Sequence, residues 1–253
     1  MSHLVAPKIE CVESRDNFGR FVIEPLEKGL GITLGNVMRR VLLGQLQGAA
    51  VTRVNIEGIQ HEFTTVPNVK EDVIELLLNI KALRLKPISG RAGKLIIEAK
   101  GEGSVTAADI MPSTDFEIIN PELHLATLDS SEARLYVELD VDLYKGYREA
   151  ESGGNLPVGV IPMDAIFSPV RKVNFTIEPM RTEQEISHER LSLEVWTDGT
   201  ISPNDAITHS AEILLEQLSL FASFNRVAQI REEPSRLDIS PEIYNMPIEQ
   251  LNL

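Results

Sequence analysis

Apolar positions along this chain follow two rhythms, a period of two and a period of three to four, and the rhythm changes where glycine or proline interrupts it. Lys8 to Glu13 and Gly19 to Glu24 are β-rich runs joined by the polar Ser14-Arg15-Asp16-Asn17, the pattern of a hairpin whose second strand ends at Pro25. From Thr33 onward Leu34, Val37, Met38, Val41 and Leu42 recur at helical spacing, which predicts a helix with Thr33 as N-cap and Gly48 beyond its end. Asn36, Arg39 and Arg40 share another side of that helix. Val51 to Glu57 returns to a period of two, and Ile59, His61 and Phe63 alternate after Gly58, so a second hairpin with one dry face is expected. Asn68 is then expected to cap a helix carrying Val69, Val73, Leu76, Leu77, Ile80 and Leu83 as a broad stripe. Glu71 and Asp72 lie in its first turn, where they complement the helix dipole.

Short β signals follow at Lys94 to Ala99, Ser104 to Ala107 and Phe116 to Ile119. The strongest strand is Arg134 to Leu143, where Leu135, Val137, Leu139, Val141 and Leu143 alternate with polar residues. Lys145 to Gly159, with Ser152-Gly153-Gly154-Asn155 and Pro157, is read as a surface loop at a domain boundary. Val173, Phe175 and Ile177, then Leu191, Leu193 and Val195, predict two further strands, closed by an Asp198-Gly199 turn. Ser202-Pro203-Asn204-Asp205 supplies an N-cap, a proline at the first helical position and an acid at the third. The helix it starts is expected to run to about Ala228. Ile207, Ala211, Leu214, Leu218 and Phe221 form one stripe on it, and Ala206, Ile213, Leu220 and Phe224 a second. A helix apolar on two faces needs cover from two sides, one from its own sheet and the other from a second domain or a second copy of the chain. Arg231 to Leu253, with Pro234, Pro241 and Pro247 among charges, suits a linker.

Composition narrows the function. At 253 residues and 43% hydrophobic the chain can bury a substantial core. Its 38 acidic against 24 basic residues give a formal charge of -14, which repels phosphate backbones and argues against nucleic-acid binding by this chain. One cysteine, Cys11, rules out an internal disulfide and any CxxC site; with no signal-peptide pattern and no membrane span, a cytoplasmic location is expected. Gly29-x-Gly31-x-x-x-Gly35 before a helix superficially matches a dinucleotide fingerprint, but its spacing is one residue too long and the buried strand before it is missing. His3, His61, His124, His188 and His209 show no metal-ligand spacing, and GxSxG and GxxxxGK[ST] are absent. No catalytic residue, metal or cofactor is therefore expected. From its residues the chain reads as a structural or interaction protein. A free-standing homodimeric binding module and a nucleotide-binding enzyme using Gly29 to Gly35 are the alternatives.

Glu24-Pro25-Leu26-Glu27-Lys28-Gly29 and Thr33-Leu34-Gly35-Asn36-Val37-Met38-Arg39-Arg40-Val41-Leu42-Leu43 resemble the N-terminal domain of the α subunits of bacterial DNA-dependent RNA polymerase. The resemblance continues through His61-Glu62-Phe63-Thr64-Thr65, Val69-Lys70-Glu71-Asp72, Val105-Thr106-Ala107-Ala108-Asp109-Ile110, Phe167-Ser168-Pro169-Val170 and Thr197-Asp198-Gly199-Thr200-Ile201-Ser202-Pro203. It implies an α+β fold in which a discontinuous dimerisation domain, residues 1–48 and 160–230, combines an antiparallel sheet with two helices. A mostly β domain, 49–159, is inserted within it, and 231–253 are a linker and the truncated start of a C-terminal domain.

The resemblance further implies a homodimer packed through Leu34, Val37, Met38, Val41, Leu42, Ile207, Ala211, Leu214, Leu218 and Phe221. On that dimer the β and β′ subunits assemble into a nucleotidyltransferase. Asn36, Arg39, Arg40, His61, Glu62, Val69, Glu71 and Asp72 match family positions facing β; Phe167, Ser168, Pro169, Val170 and Arg171 match a segment facing β′. DNA and activators are contacted in the family through the C-terminal domain, so no direct DNA contact is expected from residues 1–230.

Overall fold

A computed structural model describes residues 6–150, 156–182 and 185–224, with the side chains of 181–187 outside that description. In chain order its elements are β1 (Lys8–Arg15), β2 (Phe18–Glu27), α1 (Leu30–Gly44), β3 (Gln47–Ile56), α2 (Val73–Lys81), β4 (Leu85–Pro87), β5 (Gly93–Lys100), β6 (Gly103–Thr106) and β7 (Phe116–Ile118). There follow β8 (His124–Leu128), β9 (Arg134–Lys145), β10 (Tyr147–Arg148), β11 (Val160–Pro162), β12 (Ala165–Ile166), β13 (Val170–Thr182), β14 (Glu185–Thr197) and α3 (Pro203–Ala222). The fold is α+β, mostly antiparallel sheet. One sheet runs β1-β2-β14-β13, so both ends of the described chain build it; a larger one runs β5-β9-β3-β4-β7, with β11 also on β3, and comes from the middle. Two-stranded pairs β6-β8 and β10-β12 complete it.

The middle sheet forms where the alternating pattern is strongest. Leu135, Val137, Leu139 and Val141 of β9 are buried with Leu95 and Ile97 of β5 and Val51, Val54 and Ile56 of β3, and α2 adds Val73, Leu76 and Ile80 to that core. Each such side chain contributes about 1.5–3 kcal/mol when fully buried. In the first sheet, α1 lies on β13 and β14 through glycines. A Cβ added at Gly35 would stand 2.6 Å from the Phe175 ring, and one at Gly31 would stand 3.3 Å from Ile177. Chain contacts divide the molecule into a unit ending at Ala211 and a second beginning at Glu212, a division that falls inside α3.

Several local expectations change. The helix starts at Leu30 with Gly29 as its N-cap residue at φ 91°, and Thr33 lies in its first turn, where Oγ1 donates to the Gly29 carbonyl at 3.2 Å. It stops at Gly44, and Gly48 belongs to β3. Strand β2 passes through Pro25 to Glu27; Pro25 lies beyond the last β1 partner, Glu24, and at the break in register with β14, so no ladder bond is asked of it. Ile59 to Phe63 is not a strand. The edges of β3 are taken by β9 on one side and by β4 and β11 on the other, and Gly58, at φ 79°, turns the chain away. Asn68 adopts φ 58° and Asp72 caps α2 instead, accepting from the Glu75 amide at 2.7 Å. Within the expected Lys145 to Gly159 loop, Tyr147–Arg148 form β10 against β12. Residues 151–155, the expected continuation of α3 from 225 to Ala228 and the 231–253 tail lie outside the described residues.

Candidate functional site

The glycines before α1 sit where an anion would bind, at the N–H end of a helix. The chain fills that place itself. The two carboxylate oxygens of Glu189, on β14, accept the amides of Gly29 and Gly31 at 3.0 Å each. Gly31 and Gly35 are buried against β13, so they serve close packing and leave no cradle for a pyrophosphate.

Because that packed face carries Gly31, Gly35 and the fully buried Leu42, the remaining surface of α1 points outward. Leu34 and Val37 are exposed, Met38 is half-buried, and Val41 is enclosed with Leu42 in the chain's own core. The predicted stripe is therefore shared between that core and the outside. Asn36 is held by its amide, which donates to the Ile32 carbonyl at 3.0 Å. Arg39 and Arg40 are exposed and have no ion pair or side-chain hydrogen bond among the described residues. Most other described arginines pair with a carboxylate, among them Arg20 with Glu194, Arg53 with Asp140, Arg148 with Asp142, Arg171 with Asp198 and Arg190 with Glu24. Arg84 donates to the Asp198 carbonyl instead, and the isolated Arg134 has no such contact among the described residues; Arg39 and Arg40 are two adjacent guanidiniums without carboxylates.

In α3, Ser202 caps as its sequence predicts: the Asp205 amide donates to Ser202 Oγ at 3.1 Å, and the hydroxyl donates back to the Asp205 carboxylate at 2.7 Å. Pro203, Ala206 and Ser210 form the buried face. Ile207, Ala211 and Leu214 are half-buried. Farther along, Leu218 is 57% and Phe221 77% exposed, with Leu215, Leu220 and Phe224 also exposed.

The 61–72 segment divides in the same way. His61 is exposed, Glu62 half-buried and Phe63 76% exposed, while Val69 and Glu71 are buried. Glu71 does not serve the helix dipole. Its Oε2 accepts the Thr127 amide at 2.6 Å, and its Oε1 accepts Thr127 Oγ1 at 3.0 Å and faces His124 Nε2 at 2.9 Å. The other ring nitrogen of His124 meets Ser104 Oγ at 3.1 Å. Burial works against the charged form of Glu71, but the bonds from His124 and Thr127 outweigh it and hold the carboxyl below its usual range. Sequence spacing could not reveal this cluster, because its members come from β6, β8 and the turn before α2. Ile74 and Leu78, four residues apart on α2, are exposed beside it.

Of the 167–171 segment, Phe167, Ser168, Pro169 and Val170 are all buried. The Phe167 amide donates to the Gly146 carbonyl at 2.7 Å, and the Arg148 guanidinium lies 5.4 Å from the Phe167 ring centre. Arg171 is the exposed member, reaching the buried Asp198 at 3.4 Å. Asp198 also accepts from the Thr200 amide and hydroxyl at 3.0 and 2.6 Å. Among the described residues no group of three or more His, Cys, Asp or Glu side chains is placed to hold a metal ion, and no helix is long and apolar enough to cross a membrane.

Comparison with known proteins bears on these surfaces. Residues 54–168 match the profile described as the RNA polymerase Rpb3/RpoA insert domain. A protein of Dehalococcoides mccartyi named DNA-directed RNA polymerase subunit alpha is 56% identical over 255 residues, covering 100% of this chain and 77% of that protein. Proteins of the same name from Desulforudis audaxviator and Herpetosiphon aurantiacus are 49% and 46% identical, again over 100% of this chain and over 82% and 77% of their own lengths.

Proposed function

Since the chain belongs to the family of DNA-directed RNA polymerase α subunits, we propose that it is a homodimeric, non-catalytic scaffold on which the β and β′ subunits assemble. The observation that carries this reading is the outward face of α1, where Arg39 and Arg40 stand unpaired beside the exposed Leu34 and Val37. An arginine without an internal carboxylate offers a planar donor fork to carboxylates or carbonyls of a partner, which lysine does not reproduce.

Asn36, Arg39, Arg40, His61, Glu62 and Asp72 face β in this reading, with Val69 and Glu71 supporting them from inside. Arg171 is the exposed contact toward β′, and Phe167 to Val170 form the frame behind it. The dimer packs through Leu34 and Val37 of α1 and the outer stripe of α3. The division into a dimerisation domain, 1–48 and 160–230, and an insert, 49–159, is supported by the construction of one sheet from both ends of the chain and the other mainly from its middle, although β11, Val160–Pro162, extends the middle sheet past 159 by pairing with β3.

Co-expression with β and β′ and isolation of the complex tests the proposal, which fails if no α2β species is recovered. Within that experiment Arg40→Ala retains the dimer and loses β. Stranding the partner group of a buried pair costs about 3–5 kcal/mol, enough to abolish co-purification. An Arg40→Ala dimer that binds β normally returns Arg40 to the role of a solvated surface residue.

A further inference from the structure

His124 lies outside every segment so far assigned to a partner, yet its ring joins one of them, at Glu71, to Ser104 of β6. In the neutral ring, a carboxylate opposite Nε2 keeps the proton there, leaving the Nδ1 lone pair for the Ser104 hydroxyl. Ser104 of β6, His124 of β8 and Glu71 ahead of α2 thus form one hydrogen-bonded chain, closed by the Thr127 amide and hydroxyl on the same carboxylate. The surrounding backbone is tied to β8 and to itself. The Lys70 amide donates to the Thr127 carbonyl at 3.0 Å and the Asp129 amide, just past β8, to the Asn68 carbonyl at 3.1 Å, while the Val73 amide closes the 64–73 stretch on the Thr64 carbonyl at 3.2 Å. Asp72, next to Glu71, caps α2.

The exposed tip His61-Glu62-Phe63 leads into this clamped stretch, and α2 with its outward Ile74 and Leu78 leaves it. A cluster with the membership of a Ser-His-acid triad is here a fastening, for the Glu71 carboxylate is held in place by Thr127. Removing the ring would leave a buried carboxylate short of one donor at the junction of tip and helix.

We infer that His124 is a positioning residue for β docking: through Glu71 it holds the 61–63 tip and the start of α2 in the arrangement that β binds. The inference rests on the proposed docking of β at the 61–72 segment. It predicts that His124→Ala weakens binding of the full-chain dimer to purified β about tenfold, as expected for one lost hydrogen bond to a charged group. The dimer persists, the thermal midpoint falls by only a few degrees, and amide exchange rises at Lys70 and Val73. His124→Gln, whose amide can donate to Glu71, restores affinity and exchange protection together.

Parental β affinity in His124→Ala, or a His124→Gln variant as weak as His124→Ala, overturns the inference. If His124→Ala does not fold, His124→Phe takes its place. That change keeps an aromatic ring and deletes the donor to Glu71, so unchanged β affinity is again fatal to the inference. A His61→Ala/Glu62→Ala double variant separates the two levels. Parental affinity there removes the docking reading and the positioning role with it; weakened affinity there with parental affinity in His124→Ala removes the positioning role alone.

Discussion

Gly44 and Gly48 are near neighbours with opposite reasons to be glycine. A Cβ at Gly44, the last residue of α1, meets nothing within 4 Å, whereas one at Gly48 would stand 1.9 Å from the Phe167 carbonyl oxygen. Gly44→Ala is expected to stabilise by up to about 0.5–1 kcal/mol through helix propensity. Gly48→Ala destabilises by about 3 kcal/mol, since backbone on backbone has little room to yield. Urea unfolding followed by the fluorescence of the single tryptophan, Trp196, measures both.

Acid titration is a second residue-scale test. Glu71, Asp142 and Asp164 are held below their ordinary values of 4.5, 3.8 and 3.8. For Glu71 and Asp142 burial opposes the charged form and hydrogen bonds outweigh it; for Asp164 the Lys81 bond dominates. The unfolded chain therefore binds more protons than the folded one as pH falls through these values, and stability declines there. The thermal midpoint should be insensitive to these groups from pH 7 to about 5.5 and fall below about 4.5, the reference range for carboxylates. Glu71→Gln flattens that decline, and an unchanged acid limb would contradict the assignment.

At the scale of elements, α1 and α3 show what local pattern carries. The start of α3 is legible because Ser202, Pro203 and Asp205 cap the helix among themselves. The start of α1 is not, because its acceptor, Glu189, lies 160 residues from Gly29 in sequence. Glu189→Gln keeps the shape and removes the charge opposite the helix N-terminus, and it is expected to cost about 1 kcal/mol. Hydrogen exchange should report it at Gly29 and Gly31 before the rest of α1. The packed face of α1 is hidden from local pattern for a related reason: glycine scores as a breaker in a periodicity count, but Gly31 and Gly35 are the contact surface because Phe175 and Ile177 come so close. Ile59 to Phe63 alternates like a strand yet finds no free sheet edge, so pattern without a partner produced a loop.

At the scale of the whole molecule, the exposed apolar length of α3 demands cover. Leu215, Leu218, Leu220, Phe221 and Phe224 together exceed what scattered surface hydrophobes explain. Leu214→Asp with Leu218→Asp should give monomers by light scattering and abolish the concentration dependence of the thermal midpoint that a dimer shows. An intact dimer in that variant would remove α3 from the interface.

The sequence by itself determined the α+β class, most strands of both sheets, the cap of α3 and the family, because alternation, capping and motif order are properties of neighbours along the chain. Only the tertiary structure decided which candidate residues reach the surface. Arg39, Arg40, Leu34 and Val37 do, while Leu42, Val69, Glu71 and Phe167 to Val170 are enclosed. It also brought Ser104 and His124 to Glu71, and Glu189 to the glycines of α1. Burial and hydrogen bonding between distant residues depend on how strands are ordered in the sheets, and that order pairs segments whose separation no local period records.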